Sequence, residues 1–219
     1  MLDLALNEVD ALAKKAARGA GYHWGMATEA GKSTRFLCQY GIDGCQALSR
    51  CLNQLDQEPA SNVSPQLDTE TWCARGKFMC PIAAGTALSD FVDQLSSSGL
   101  NMRRIVEPGL LIYHVVECAK RRESVVSLSW GRIRIVVDRF DLCTDNCHET
   151  SEAFEDFFGI HDVQLAFEGQ LRTRRARQTR ASPQLESWDC LNLYASRTYA
   201  PATDESRQKG AGADQSDSD

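Results

Sequence analysis

The chain has 219 residues and a formal charge of −6, with 42% hydrophobic and 25% charged side chains. That length supports a sizeable core. The acidic balance argues against general binding to nucleic acid or anionic membrane, since both need a basic surface. No apolar run reaches the roughly 18 residues of a membrane span, and the start, MLDLALNEVDA, lacks the basic and long apolar regions of a signal peptide. A cytoplasmic location is the default expectation.

Leu2, Leu4 and Leu6 alternate with polar or small residues, which predicts a short opening strand. Asn7 is the expected cap of a first helix, with Asp10 three positions on and Val9, Leu12, Ala13 and Ala16 as its apolar stripe. Gly19 and Gly21 end it. A second helix is expected from Trp24 to Tyr40, its inner face made largely of small residues. Gly41 stops it, and a third follows with Cys45, Leu48, Leu52 and Leu55 buried. Residues 57–68 read as a loop, and Cys80-Pro81 as a break in any helix there. A short helix is expected over Ala87–Leu95.

From Asn101 the period becomes that of strands. Leu110–Cys118 reads as a central strand because both its faces are apolar. Ser124–Trp130, Arg132–Asp138 and Val163–Phe167 alternate as half-buried strands do. Ser182-Pro183 looks like the start of a closing helix with Leu185, Trp188, Leu191 and Tyr194 inward. The fold class expected is α+β: N-terminal helices packed on a mainly antiparallel sheet, with a C-terminal helix and a partly flexible polar tail. One domain over 1–200 is expected, with a tail over 201–219.

The stretch RGAGYHWGMATEAGKSTRFL, Arg18–Leu37, holds the residues hardest to place without a reason. Its glycines do not form a dinucleotide loop: the spacing is GxGxxxG, and a helix precedes it where a strand is required. Glycines before a helix start do leave N–H groups for an anion. His23 and Trp24 sit at that start, and Glu29 and Lys32 stand one turn on as an acid and a base. The competing reading is close helix packing, Trp24 in the core, and a surface Glu29–Lys32 pair.

Elsewhere, His114 reads as a core histidine bonded to backbone. Cys143, Cys147 and His148 have metal-like spacing but lack a well-spaced second pair, so no metal or cofactor is implied. The nine cysteines read as reduced, small, buried hydrophobes, with Cys118 on a strand. Arg172, Arg174, Arg175, Arg177 and Arg180 form an exposed loop, or pair with the acidic 138–156 stretch.

The segment LNEVDALAKKAARGAGYHWGMATEAGKSTRFL, continuing to GIDG at 41–44, resembles the N-terminal region of an uncharacterised bacterial family, a domain of unknown function frequent in alphaproteobacteria. RTYAPATDESRQKGAGA near the end resembles a second motif of that family. The resemblance implies that Gly21–Lys32 is a signature and that the tail around Glu205 and Arg207 belongs to the same pattern. Thr28 departs from it, standing where a second acid would precede Glu29. The reading that follows is a small-molecule enzyme or an accessory subunit of one. Glu29 and His23 would be catalytic; Gly21, Trp24, Lys32, Glu205 and Arg207 would bind ligand. The alternative is a non-catalytic interaction protein or homo-oligomeric scaffold.

Overall fold

A computed structural model describes residues 2–68, 70–139, 142–144, 156–168 and 175–199. The architecture is α+β. β1 (Leu4–Ala5) leads into α1 (Leu6–Gly19), α2 (Trp24–Gln39), α3 (Gly44–Leu55) and the single turn α4 (Ala60–Val63). β2 (Pro65–Gln66), β3 (Thr71–Ala74), α5 (Pro81–Phe91), β4 (Leu100–Val106) and α6 (Ile112–Arg122) follow. The chain continues through β5 (Val125–Trp130), β6 (Ile133–Val137), β7 (Leu142–Thr144), β8 (Ile160–Glu168) and β9 (Arg180–Ala181) to α7 (Leu185–Ser196).

Among the described residues the large sheet runs β2-β3-β4-β8-β5-β6-β7, antiparallel except where β3 meets β4. Its register pairs apolar with apolar: Val126 opposes Val137 and Phe167, and Leu128 opposes Ile135 and Leu165. Such like-faced cross-strand pairs hold the sheet in one register, since a one-residue slip would expose them all. β4 carries a bulge between Met102 and Ile105, where Arg104 adopts φ 52°. Asp162 on β8 stabilises it, accepting from the Arg104 backbone at 2.9 Å and from Arg103 at 2.6 Å.

α6 packs on β5 and β6, and α2 packs on α5 and α6. The N-terminal helices thus meet the sheet mainly through α5 and α6. α1 lies between α2 and α7. Its Ala13, Ala16 and Ala17 are fully buried, as are Ala27 and Ala30 on α2. At Gly31 an added Cβ would stand 3.0 Å from the Asp10 carbonyl oxygen of α1, so the small face expected of α2 does permit close approach. Asp43 ties the remaining helices together. One carboxylate oxygen accepts from Gln46 at the start of α3, and the other accepts from Gln184 just ahead of α7, both at 2.9 Å.

Several sequence expectations need correction. Leu110–Cys118 is not a strand: Pro108–Leu111 forms a 3-10 turn and Ile112–Arg122 a helix, so Cys118 is helical too. A short run apolar on all sides has no period to separate the two. The deciding signs are Lys120, Arg121 and Arg122 in the last turn, which suit a helix C-terminus. α1 begins at Leu6, not after Asn7; Glu8 reaches back to accept the Ala5 N–H at 2.7 Å. Pro81 does not break a helix but opens one, while Ser182-Pro183 precedes α7 by a residue, with Gln184 as its cap. Trp24, read in the packing alternative as core, is 67% exposed.

Gly19 supplies a test of the helix packing. A Cβ there would lie 1.7 Å from the Tyr194 carbonyl oxygen of α7. Alanine gains about 1 kcal/mol in helix propensity, but overpacking against a backbone atom costs about 1–3 kcal/mol or more. Gly19→Ala is therefore expected to destabilise the fold, as measured by urea denaturation.

Candidate functional site

The turn between α1 and α2 builds one wall of a cavity. The Tyr22 N–H bonds back to the Ala17 carbonyl and the Gly21 N–H to the Arg18 carbonyl, both at 3.0 Å. This is a Schellman closure, which needs a left-handed residue; Gly21 supplies it at φ 94°. Tyr22 then packs against the core, and His23 caps α2 by accepting the Met26 N–H at 3.5 Å.

α5 builds the facing wall. Ala83, Thr86, Ala87, Asp90 and Phe91 recur at helical spacing, and the short side chains of Ala83, Thr86 and Ala87 leave space between α5 and the turn. Leu55, Glu58 and the 60–67 segment close the third side. The volume of this open cleft is about 400 Å³, within the range of small-molecule sites. Gly21 and His23 line it; Trp24, Glu29 and Lys32 are not among its lining residues. Arg18 lies over the Trp24 ring at 4.6 Å. Glu29 pairs with Lys32 at 2.8 Å, one turn beyond Met26. That bond to Glu29 is the main cause of a raised Lys32 pKa, with Tyr113 a further contributor. Glu205 and Arg207 lie outside the described residues, as do Cys147 and His148. No three His, Cys, Asp or Glu side chains are grouped to hold a metal among the described residues.

The charged groups lining the cavity are Glu58 and Asp90, both exposed. An apolar interior with acids at its edge favours a neutral or cationic ligand and disfavours an anion. At the floor sits Cys80, the cap residue of α5, with the Tyr22 hydroxyl 3.2 Å from its sulfur. Sequence reasoning missed Cys80 among the other thiols. The signal was present in Cys80-Pro81, since proline favours the first position of a helix.

Two further buried polar groups lie away from the cavity lining. Glu107 is 2% exposed and left-handed at φ 49°. Its Oε1 accepts from Arg50 at 2.8 Å and from the Gly159 N–H at 3.1 Å, while Oε2 has no hydrogen-bond partner among the described residues. Burial raises its pKa against the pull of Arg50.

His114 is a core histidine, as expected, but on α6. Its nitrogens meet two hydroxyls rather than backbone: Ser33 of α2 at 3.3 Å and Ser89 of α5 at 3.4 Å. Gly85 makes room for the ring; a Cβ there would come within 2.2 Å of it.

The α1–α2 turn, the cavity and the α+β frame define a class, a helix-rich domain with a small-molecule-sized pocket beside its sheet, and comparisons with known proteins do not narrow it to an activity. Residues 4–80 match the model of a family described only as a protein of unknown function (DUF3726). That match contains the 6–44 segment of the resemblance and the cavity wall as far as Cys80. No curated protein matches. Among solved structures, malate dehydrogenase from Entamoeba histolytica is similar at 13% identity and a TM-score of 0.46. The likeness covers 62% of this chain and 43% of that one, so this chain spans less than half of that protein's length.

Burial holds the His114 pKa down to about 3, with Lys32 adding to the effect. Unfolded, the ring titrates near 6.5. Above that pH both states are neutral and the contribution is complete. As pH falls from ~6.5 toward ~3 only the unfolded chain takes the proton, so this group alone removes about 1.4 kcal/mol per pH unit. Urea denaturation between pH 7 and about pH 5 is expected to show that loss, and His114→Gln to flatten it.

Proposed function

We propose that the chain is a small-molecule enzyme, or an accessory subunit of one, whose ligand occupies the cavity between the Gly21–His23 turn and α5. The observation that carries this reading is the cavity itself: about 400 Å³, with small residues along one helix and a fixed turn opposite. Gly21 sets the turn and His23 offers an imidazole at the wall. Glu29 and Lys32 stand one turn further along α2, where they act on a ligand only if it extends past Met26. Glu29→Gln separates the two cases: loss of ligand binding or turnover without loss of melting temperature keeps Glu29 in the site.

A second reading, an oligomeric scaffold, draws on the apolar surface at the C-terminal helix, where Leu193 is 70% exposed and Leu185 and Tyr199 are exposed as well. A strict monomer in size-exclusion chromatography at both low and high salt would count against it.

Ala87→Trp tests the cavity, because it fills the space from α5. Neutral or cationic compounds that fit are expected to stabilise the native chain by about 2.7 kcal/mol at a hundredfold excess over Kd. For a chain of this size that is a rise in melting temperature of roughly 5–10 °C. The variant is expected to keep its fold and lose that rise. Equal stabilisation of both proteins would place the ligand elsewhere.

A further inference from the structure

A second cleft opens where α3 meets the end of β4 and the start of β8, and it shares no lining residue with the first. Arg50, Asn53 and Gln54 of α3 form one side, with Glu107, Gly159 and Ile160 opposite. Its volume is about 330 Å³, enough for a small molecule. Glu107 is held in place by Gly159. Its N–H donates to the Gly159 carbonyl at 2.7 Å, and its Oε1 accepts the Gly159 N–H at 3.1 Å. The Glu107 side chain is 3% exposed, yet Oε2 has no hydrogen-bond partner among the described residues. Buried polar atoms are as a rule paired, and leaving a carboxylate oxygen unpaired is costly. The open space beside Glu107 is the cleft, so a missing donor would enter from there.

Arg50 supplies the opposite charge. It is half exposed and lies 5.6 Å over the Phe158 ring. Among the described residues its hydrogen bond runs through Nε, to Glu107 Oε1 at 2.8 Å, which leaves both Nη groups of the fork for a ligand. The cleft thus sets a cation with spare donors beside an anion with a spare acceptor. A ligand of one sign meets its like charge on one side, whereas a molecule carrying both signs is matched on both.

We propose that this second cleft binds a small zwitterion, an α-amino acid with an apolar side chain, its carboxylate on the Arg50 Nη groups and its ammonium on the Glu107 carboxylate. The guanidinium fork suits a carboxylate bidentately, and the ammonium satisfies the oxygen that the fold leaves bare. The Arg50 charge already favours ionised Glu107 against burial, and an ammonium acts in the same direction. Ile160, 38% exposed, offers apolar contact to the side chain of the ligand. Asn53 accepts from the Tyr194 hydroxyl through Oδ1 at 3.0 Å, so its amide N–H groups are left for the ligand carboxylate.

The test is isothermal titration calorimetry of the full chain near neutral pH with three probes. L-leucine carries both charges, N-acetyl-L-leucine lacks the ammonium, and L-leucinamide lacks the carboxylate. Leucine is expected to bind, and each analogue to bind about 10–100-fold more weakly. Arg50→Lys keeps the charge but loses the fork, and is expected to weaken leucine about tenfold. Gln54→Trp fills the cleft from an exposed helix position and is expected to abolish binding with an unchanged circular-dichroism melt. Ala87→Trp, which fills the first cavity, is expected to leave leucine binding as it was. No leucine binding up to ~10 mM, or either analogue binding as tightly as leucine, overturns the inference. So does leucine binding that Ala87→Trp removes and Gln54→Trp spares, which places the ligand in the first cavity. The three probes decide on the unaltered chain, so a variant that fails to fold does not spare the inference.

Discussion

The closeness of α1 and α2 governs the cavity side of this protein. Alanines on both helices, and Gly31 against the Asp10 carbonyl, leave no room for larger side chains between them. Two helices held that near must be joined by a tight reversal, and the Schellman turn at Gly21 provides it. The reversal fixes where Tyr22 and His23 emerge. One faces a sulfur in the interior, and the other opens the next helix at the cavity wall. The position of the polar groups is thus a consequence of how apolar ones pack.

Opposite the turn, α5 contributes absence as much as presence. Ala83 and Ala87 stand where larger side chains would fill the space, and the same helix begins at Cys80, whose sulfur meets the Tyr22 hydroxyl at 3.2 Å. The cavity is therefore largely apolar in its lining and acidic at its edge. Behind Cys51 lies Glu107, whose second carboxyl oxygen has no partner and whose charge reaches Cys51. Arg50, the residue before Cys51 on α3, bonds the first carboxyl oxygen at 2.8 Å.

β5, β6 and β8 were legible in the sequence because their residues alternate. Val126, Leu128 and Trp130 alternate with serines, and Ile133 and Ile135 with arginines, a period that only a strand satisfies. Leu110–Cys118 defeated the same reasoning because burial on every side erases the period. The site was legible in part. The glycines and His23 stood out, since glycine at a helix end and a capping histidine leave local signs. Cys80 did not, because its contact with the Tyr22 hydroxyl spans 58 residues of sequence. Such a contact exists only after folding. Glu29 and Lys32 illustrate the converse: adjacency on one helix turn is visible in the sequence, but which cavity it faces is not.

The two ends of the described chain are also bound to each other. Leu4 and Ala5 pair with Ala181 and Arg180, Asp3 bonds Arg180 at 2.6 Å, and Gly19 abuts the Tyr194 carbonyl. These contacts span most of the sequence, and contacts of such separation are slow to form. During synthesis, which proceeds from the N-terminus at ~5–20 residues per second, α1 therefore leaves the ribosome long before α7 exists to cover it. For that interval the side of α1 that Gly19 turns toward Tyr194 is bare. The first long helix to be made is thus among the last to be fully enclosed.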